Sequence, residues 1–412
     1  MKHRLLLFIA ILVLQHPFAQ KPTFKKAIIY RATLQREDGN NIIFNFELDR
    51  SKKQPVIYIL NAAERLKVDS VRFTGDSVFI KMPFFESAFK AKITNGKWQG
   101  LWIKGTSKTE LVIPFYAEIS STRFKLSDGP AKANITGRWA INFKSDSSIA
   151  PTSIAEFHQM GNRVTGSILT PTGDYRYLEG IVTGNKLKLS AFDGSHAIVF
   201  TADVTRKNSI ENGLFYSGAR FKDTWTGTKN AKATVTTNAS AMYLKPGETR
   251  LDFQFPDLDS NLVSINDDRF KNKVVVIQLM GSWCPNCMDE TAFLTEYYKN
   301  NKHRGVEMLG LAYEYSTNFK RSQQGLQQFK QRFKVDYPLL ITGVTVSDTL
   351  RTEKTLPQLT PIKVFPSSII LDRKGNVRKL DNGFFGPATG EHYETYKKEF
   401  NAIMDELLAE KE

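Results

Sequence analysis

The sequence predicts a multidomain chain of two fold classes: an all-β front, antiparallel barrel or sandwich, followed by an α/β back. From about residue 25 to 229 nearly every segment is a short alternating run closed by turn residues, with almost no helical periodicity. Beyond a stretch rich in Thr, Ala, Asn and Ser, buried apolar runs alternate with amphipathic ones. The 2 cysteines of the 412 residues both fall at one strand-to-helix junction, in Gly281-Ser282-Trp283-Cys284-Pro285-Asn286-Cys287. The expected organisation is an export signal over 1–19, β-rich units over 20–128 and 129–230, a linker over 231–243 and an α/β domain over 244–412.

Met1-Lys2-His3-Arg4 gives a positive start, residues 5–14 a short apolar run, and Pro17-Phe18-Ala19 a cleavage site ahead of Gln20. The apolar run is about half of what spans a bilayer, so it reads as a cleaved signal and not as an anchor. It holds no cysteine, which excludes attachment through a lipoprotein-type Cys.

In the front, Ile42-Ile43-Phe44-Asn45-Phe46 follows the turn Asp38-Gly39-Asn40, and residues 164–169 follow Gly161-Asn162. Thr74-Gly75-Asp76-Ser77-Val78-Phe79-Ile80 recurs as Thr183-Gly184-Asn185-Lys186-Leu187-Lys188-Leu189, each a hairpin turn feeding an alternating strand. Phe84-Phe85-Glu86-Ser87 and then Asn95-Gly96 follow the first copy; Phe192-Asp193-Gly194-Ser195 and then Asn212-Gly213 follow the second. This order suggests two related β-units, against the plainer reading that all-β chains reuse one hairpin chemistry. Gly137-Arg138-Trp139 resembles the Gly-x-Trp opening of lipocalin barrels over three residues only and assigns nothing. Asp193, Ser195 and His196 are neighbours along the chain, so strand geometry forbids a triad among them. The front reads as a binding, docking or spacer module.

In the back, 273–280 is a continuous apolar, β-branched run, as in a strand buried on both faces. A helix is expected over 285–300, a strand over 306–312 and an amphipathic helix around 322–333. A strand over 367–371 and its partner over 377–380 turn at Arg373-Lys374-Gly375-Asn376. A last helix over 391–409 places Tyr396, Phe400, Ile403, Met404 and Leu407 on one face.

This order puts Cys284 where a buried strand meets a helix start, whose free N–H groups favour thiolate; such cysteines titrate at about 3.5–7.5 instead of about 8.5. Cys287 lies one turn on, within disulfide reach and pointing inward, so the exposed Cys284 would attack and the shielded Cys287 resolve. A structural zinc site would need four ligands, and none of His158, His196, His303 and His392 is spaced as a zinc pair. A merely stabilising disulfide across so short a loop would remove little unfolded-state entropy. The formal charge of +15 is spread among acids and aromatics with no basic block. It therefore argues against nucleic acid and for a solvated basic surface, with peripheral contact to anionic membranes as its one further implication.

With these residues in place, the back third, roughly 244–412, resembles the thioredoxin superfamily and, within it, the TlpA/ResA-like envelope thiol-disulfide oxidoreductases. The resemblance rests on Pro246-Gly247, on Phe253-Gln254-Phe255-Pro256-Asp257-Leu258-Asp259, on Trp283-Cys284-Pro285-Asn286-Cys287 with Glu290 three residues on, and on Phe365-Pro366-Ser367-Ser368. It implies a thioredoxin-like fold, with Cys284 and Cys287 as the redox disulfide and Glu290 exchanging protons with them. Glu290 also has a plainer role open to it, complementing the helix dipole. The resemblance further implies a cis Pro366 whose loop, with Phe365 and Trp283, shapes the substrate groove. It implies no cofactor and no metal. The family's usual Pro before the second cysteine is displaced here, and Gln278 stands where thioredoxin has a buried Asp, so Glu290 is left as the acid–base group. Residues 343–363, with Pro357 and Pro361, exceed a minimal fold and read as an insertion near the site.

The expected function is an exported thiol-disulfide oxidoreductase, a reductase, of a bacterial periplasm or cell envelope. Its partners would be protein disulfides and a membrane or periplasmic electron donor. The alternatives are a thiol peroxidase, against which Gly281 stands where peroxiredoxins carry Thr, and a β-domain ligand-binding protein with a redox-sensing appendage.

Overall fold

The computed structural model describes residues 27–410 except 52, 84–85, 107–108, 146–151, 206–207 and 237–240. The expected export signal, Phe84-Phe85 and part of the expected linker lie outside the described residues.

The first sheet is a meander of β1 (Ile28–Leu34), β2 (Ile42–Asp49), β3 (Val56–Asn61), β4 (Glu64–Val68), β5 (Val71–Thr74), β6 (Ser77–Lys81), β7 (Ser87–Thr94), β8 (Lys97–Gly105) and β9 (Glu110–Ile119). Its order, β4-β3-β2-β1-β9-β8-β7-β6-β5, joins the first strand to the last and leaves β4 and β5 as edges. Alternation buries one face of each strand, so Tyr30, Phe44, Phe46, Phe89, Trp98, Trp102 and Phe115 form an aromatic core.

The second unit comprises β10 (Gly137–Phe143), β11 (Ser153–Met160), β12 (Arg163–Thr170), β13 (Gly173–Asp174), β14 (Leu178–Thr183), β15 (Lys186–Phe192), β16 (Ala197–Val204), β17 (Ser209–Ser217) and β18 (Phe221–Lys229). Pairing of β10 with β18 and of β11 with β12 closes it into an antiparallel barrel, with the two-residue β13 hung on β12. Closure removes the edges an open sheet would expose. Trp139 is fully buried in its first strand; its indole N–H donates to the Ile135 carbonyl at 2.7 Å and its ring carries Lys229 at 5.8 Å.

The repeated Thr-Gly turns are both two-residue hairpin loops, pairing Thr74 with Ser77 and Thr183 with Lys186, with Gly75 and Gly184 at positive φ. The later Asn-Gly pairs differ. Asn95-Gly96 closes the β7–β8 hairpin, whereas Asn212-Gly213 sits inside β17 at a break in register against β18, so the same dipeptide makes a turn in one unit and a bulge in the other.

The two β-units share a buried seam. Phe192 of the barrel stacks on Phe44 of the first sheet with centroids 4.2 Å apart, and the Asn61 side chain both donates to and accepts from the Phe192 backbone. Arg123, in the connection between them, donates to the carbonyls of Leu60 and Ser190.

After the hairpin of β19 (Gln254–Pro256) and β20 (Leu262–Ser264), the α/β domain is built on β21 (Val274–Met280), β22 (Val306–Ala312), β23 (Leu339–Ile341), β24 (Ser367–Leu371) and β25 (Val377–Asn382). The sheet order is β23-β22-β21-β24-β25, parallel from β21 to β23 and antiparallel beyond. Its helices are α1 (Pro285–Asn301), α2 (Phe319–Phe333), α3 (Arg351–Thr355) and α4 (Glu391–Ala409). Every residue of β21 is buried, as its unbroken apolar run predicts. α2 starts three residues before the expected 322, because Asn318 caps it by accepting from the Arg321 N–H at 2.9 Å. The stretch expected as an insertion carries α3 and folds back on the domain core through Leu356, Leu359 and Ile362.

Candidate active site

The chain leaves the buried β21 at Met280, turns at Gly281 and enters α1 with Cys284 as its N-cap and Pro285 at the first helical position. Pro285 loses nothing there, since the first N–H groups of a helix have no partner within it, and this accounts for the displaced proline. Gly281 has no alternative: a Cβ at this position would lie 2.1 Å from the Trp283 indole nitrogen.

Cys284 and Cys287 form a disulfide, and no free cysteine remains. The Cys287 N–H points at Cys284 Sγ from 3.2 Å, the contact that would hold a thiolate on reduction. Across the pair lies the Phe365–Pro366 peptide, which is cis, with the Phe365 carbonyl oxygen 3.5 Å from Cys284 Sγ. Trp283 stacks on Tyr315, meets Phe365 edge-on and donates its indole N–H to the Tyr313 carbonyl at 2.8 Å. One expectation is corrected here: the attacking sulfur was expected at the surface, but Cys284 is 4% exposed and Cys287 0%. The Phe365–Pro366 loop lies against Cys284, and the β front meets the motif at Asn286, whose amide donates to Asp174.

Three residues along α1 from Cys287, Glu290 is fully enclosed. Because α1 begins at Pro285, Glu290 falls in its second turn and does not complement the helix start, the plainer role the sequence left open to it. Glu290 accepts hydrogen bonds from Gln278 Nε2 at 2.8 Å, Ser368 Oγ at 2.8 Å and the Tyr396 hydroxyl at 3.0 Å. Gln278 Nε2 also lies 3.3 Å from the Cys287 carbonyl, so one amide joins the carboxyl to the cysteine helix. Burial pushes the Glu290 carboxyl up to about 7 against these donors.

A raised carboxyl pKa favours the fold fully below the unfolded value and loses that contribution as pH rises through the folded one. Glu290→Gln is therefore expected to remove about 3 kcal/mol of stability loss between pH 4.5 and pH 8, from a shift between 4.5 and about 7. Urea unfolding of the oxidised protein at both pH values checks this; an unchanged pH slope would contradict it.

A second buried carboxyl was missed by sequence reasoning. Glu314 accepts from the Ser282 N–H and Ser282 Oγ, both at 2.7 Å, and burial raises it to about 7. It pins the turn before Cys284 and lies 32 residues further along the chain, with no local pattern to reveal it.

The β front also reaches the site. Arg176, in the loop after β13, donates to both oxygens of Asp289 on α1, at 2.8 and 2.9 Å, and to Glu64 of the first sheet at 2.8 Å. One guanidinium thus links all three units. On the other flank Arg321 of α2 donates to Glu86 at 2.8 Å. A cavity of about 430 Å³ opens at the barrel mouth between these units, with Tyr175, Phe215, Phe221 and His196 on the barrel side and Pro285 and Asn286 of the cysteine motif on the other.

A dithiol motif at the end of a buried parallel strand, facing a cis-proline loop and backed by an enclosed carboxyl, defines a thiol-disulfide oxidoreductase of the thioredoxin-like class. Residues 245–396 match the Redoxin family model, and the C-terminal third is a redoxin domain. The thiol-disulfide oxidoreductase ResA of Geobacillus thermodenitrificans is 25% identical over 137 residues, 33% of this chain and 69% of the relative. That of Bacillus subtilis is 21% identical over 140 residues, 34% and 69%. Among solved structures, a thiol-disulfide oxidoreductase from Bacteroides fragilis aligns over 37% of this chain and 99% of its own at 18% identity, with a TM-score of 0.29. A DsbF homologue from Corynebacterium diphtheriae aligns over 41% and 97% at 19% identity, with a TM-score of 0.30.

Proposed function

We propose that this protein is an exported disulfide reductase of the bacterial cell envelope, using Cys284 as nucleophile, Cys287 as resolving thiol and Glu290 as proton acceptor. The observation that carries the reading is the buried Glu290–Gln278 pair, joined to the cysteine helix through the Cys287 carbonyl, a proton store three residues along α1 from Cys287. In the reduced protein the Cys284 thiolate attacks one sulfur of a substrate disulfide. That S–S bond breaks, a substrate thiolate leaves, and Cys284 is joined to the other substrate sulfur. Cys287, having given its proton to Glu290, attacks Cys284 Sγ, which expels the second substrate thiolate and leaves the Cys284–Cys287 disulfide. Two electrons pass to the substrate, and an electron donor restores the dithiol. Trp283, Phe365 and Pro366 frame the groove in which the substrate chain would lie. The relatives named ResA support a place in thiol-disulfide exchange, and the charged, then apolar first residues support export. No helix among the described residues is long and apolar enough to cross a membrane.

The peroxidase alternative loses ground at Gly281, where the Trp283 indole leaves no room for the threonine that peroxidase chemistry would place there. The ligand-binding alternative draws on the barrel-mouth cavity, and binding of a ligand there with an inert cysteine pair would favour it.

Equilibrating the protein with defined thiol/disulfide ratios and counting alkylated thiols gives the reduction potential. A value near about −270 mV or below is expected for a reductase; one near about −120 mV would make it an oxidase.

A further inference from the structure

The loop after β12 points in two directions. Tyr175 turns into the barrel, its ring 5.2 Å from that of Phe215 and 5.3 Å from that of Phe200. Asp174 and Arg176, on either side of it, turn out onto the α/β domain. The Asp174 carboxylate is enclosed; one oxygen accepts from Asn286 Nδ2 at 2.9 Å and from the Gly386 N–H at 2.8 Å, the other from the Arg176 N–H at 2.6 Å. Asn286 is one of the two residues between the cysteines, and its amide also donates to the Phe384 carbonyl at 3.2 Å. Gly173 permits the approach, since a Cβ there would stand 3.0 Å from Asn286 Nδ2. The barrel therefore holds the inner dipeptide of a redox motif 112 residues away in sequence.

We propose that Asp174 of the β barrel is a positioning residue of the redox centre: it fixes Asn286 and sets a carboxylate at the start of α1, making the cysteine pair more reducing. The inference rests on the reading of that pair as redox-active. Free N–H groups at a helix start stabilise the Cys284 thiolate, and a carboxylate held at the same end opposes it. Less thiolate stabilisation means a less favoured reduced state and a lower potential. The other charged groups around the motif are Arg176, paired with Asp289 and Glu64, Glu290 in the second turn of α1, Glu314 behind Ser282, the Arg321–Glu86 pair, and Lys104, Asp193 and His196 on the cavity walls. Burial raises the Asp174 carboxyl to about 6, which leaves it mostly ionised at neutral pH.

The test is the thiol-disulfide equilibrium of the whole chain with dithiothreitol at pH 7, with the pH profile of Cys284 alkylation in the reduced protein. Asp174→Asn is expected to shift the equilibrium about tenfold toward the dithiol, about 30 mV upward, and to move the alkylation midpoint to lower pH. Asp174→Glu, which keeps the charge, should stay within about twofold of the parent. If Asp174→Asn does not fold, Asp174→Ser carries the same expectation. A neutral variant that folds and matches the parent in both measurements overturns the proposal. A parent pair that does not exchange with dithiothreitol at all overturns the redox reading, and this inference with it.

Discussion

Cys284→Ser is expected to abolish reduction of a protein disulfide, and Cys287→Ser to stop it halfway with the substrate still attached. The asymmetry follows from geometry. Cys284 caps α1, receives the Cys287 N–H and faces the Phe365–Pro366 loop, so a substrate strand lying in that groove meets Cys284 first. Cys287 is wholly enclosed, bonded to Cys284, and its carbonyl accepts from the Gln278 amide that holds Glu290. A serine at 284 leaves no nucleophile at the groove. A serine at 287 leaves the first exchange intact and removes the second, so the mixed disulfide accumulates. Turnover of a protein disulfide, with non-reducing electrophoresis of the Cys287→Ser reaction, reads both results. Parent-like turnover in the two variants would exclude the mechanism.

Arg176→Ala is expected to cost about 3–5 kcal/mol of stability, because it leaves Glu64 and Asp289 buried without their cation. The Arg176 side chain is 12% exposed and those of its partners 12% and 14%, so solvent screens the three groups weakly. Replacing all three groups together, as Arg176→Met with Glu64→Gln and Asp289→Asn, should recover most of the loss, since no charge is then stranded. Urea unfolding of both variants at pH 7 decides the matter; a single variant within 1 kcal/mol of the parent, on the order of a surface substitution, would mean the clamp holds nothing.

The arrangement of the motif was legible because it is written locally. A buried strand, a Cys-Pro-Asn-Cys run and Glu290 one turn on occupy 17 consecutive positions, from Val274 to Glu290, and spacing in a helix or strand turns such nearness into geometry. Phe365-Pro366 was legible by resemblance. The β front was legible as a class, since alternation and turn chemistry are also local, but closure of the second unit into a barrel depends on β10 meeting β18, a non-local pairing by which alternation alone does not tell barrel from sandwich. Asp174, Arg176 and Glu314 carried no signal: each acts on a residue 32 to 113 positions away, through a contact that only the tertiary fold creates. The expected exposure of Cys284 failed for the same reason. A motif can say that a thiol is made to react, but not what the tertiary fold packs against it.

That covering has a kinetic meaning. With Cys284 only 4% exposed, a folded substrate that carries its disulfide on a broad surface reacts only in the fraction of molecules in which the packing around Cys284 is open, so its observed rate is the intrinsic rate multiplied by that fraction. A small dithiol pays little of this toll. The ratio of the two rates thus becomes a gauge of how tightly the packing around Cys284 is closed.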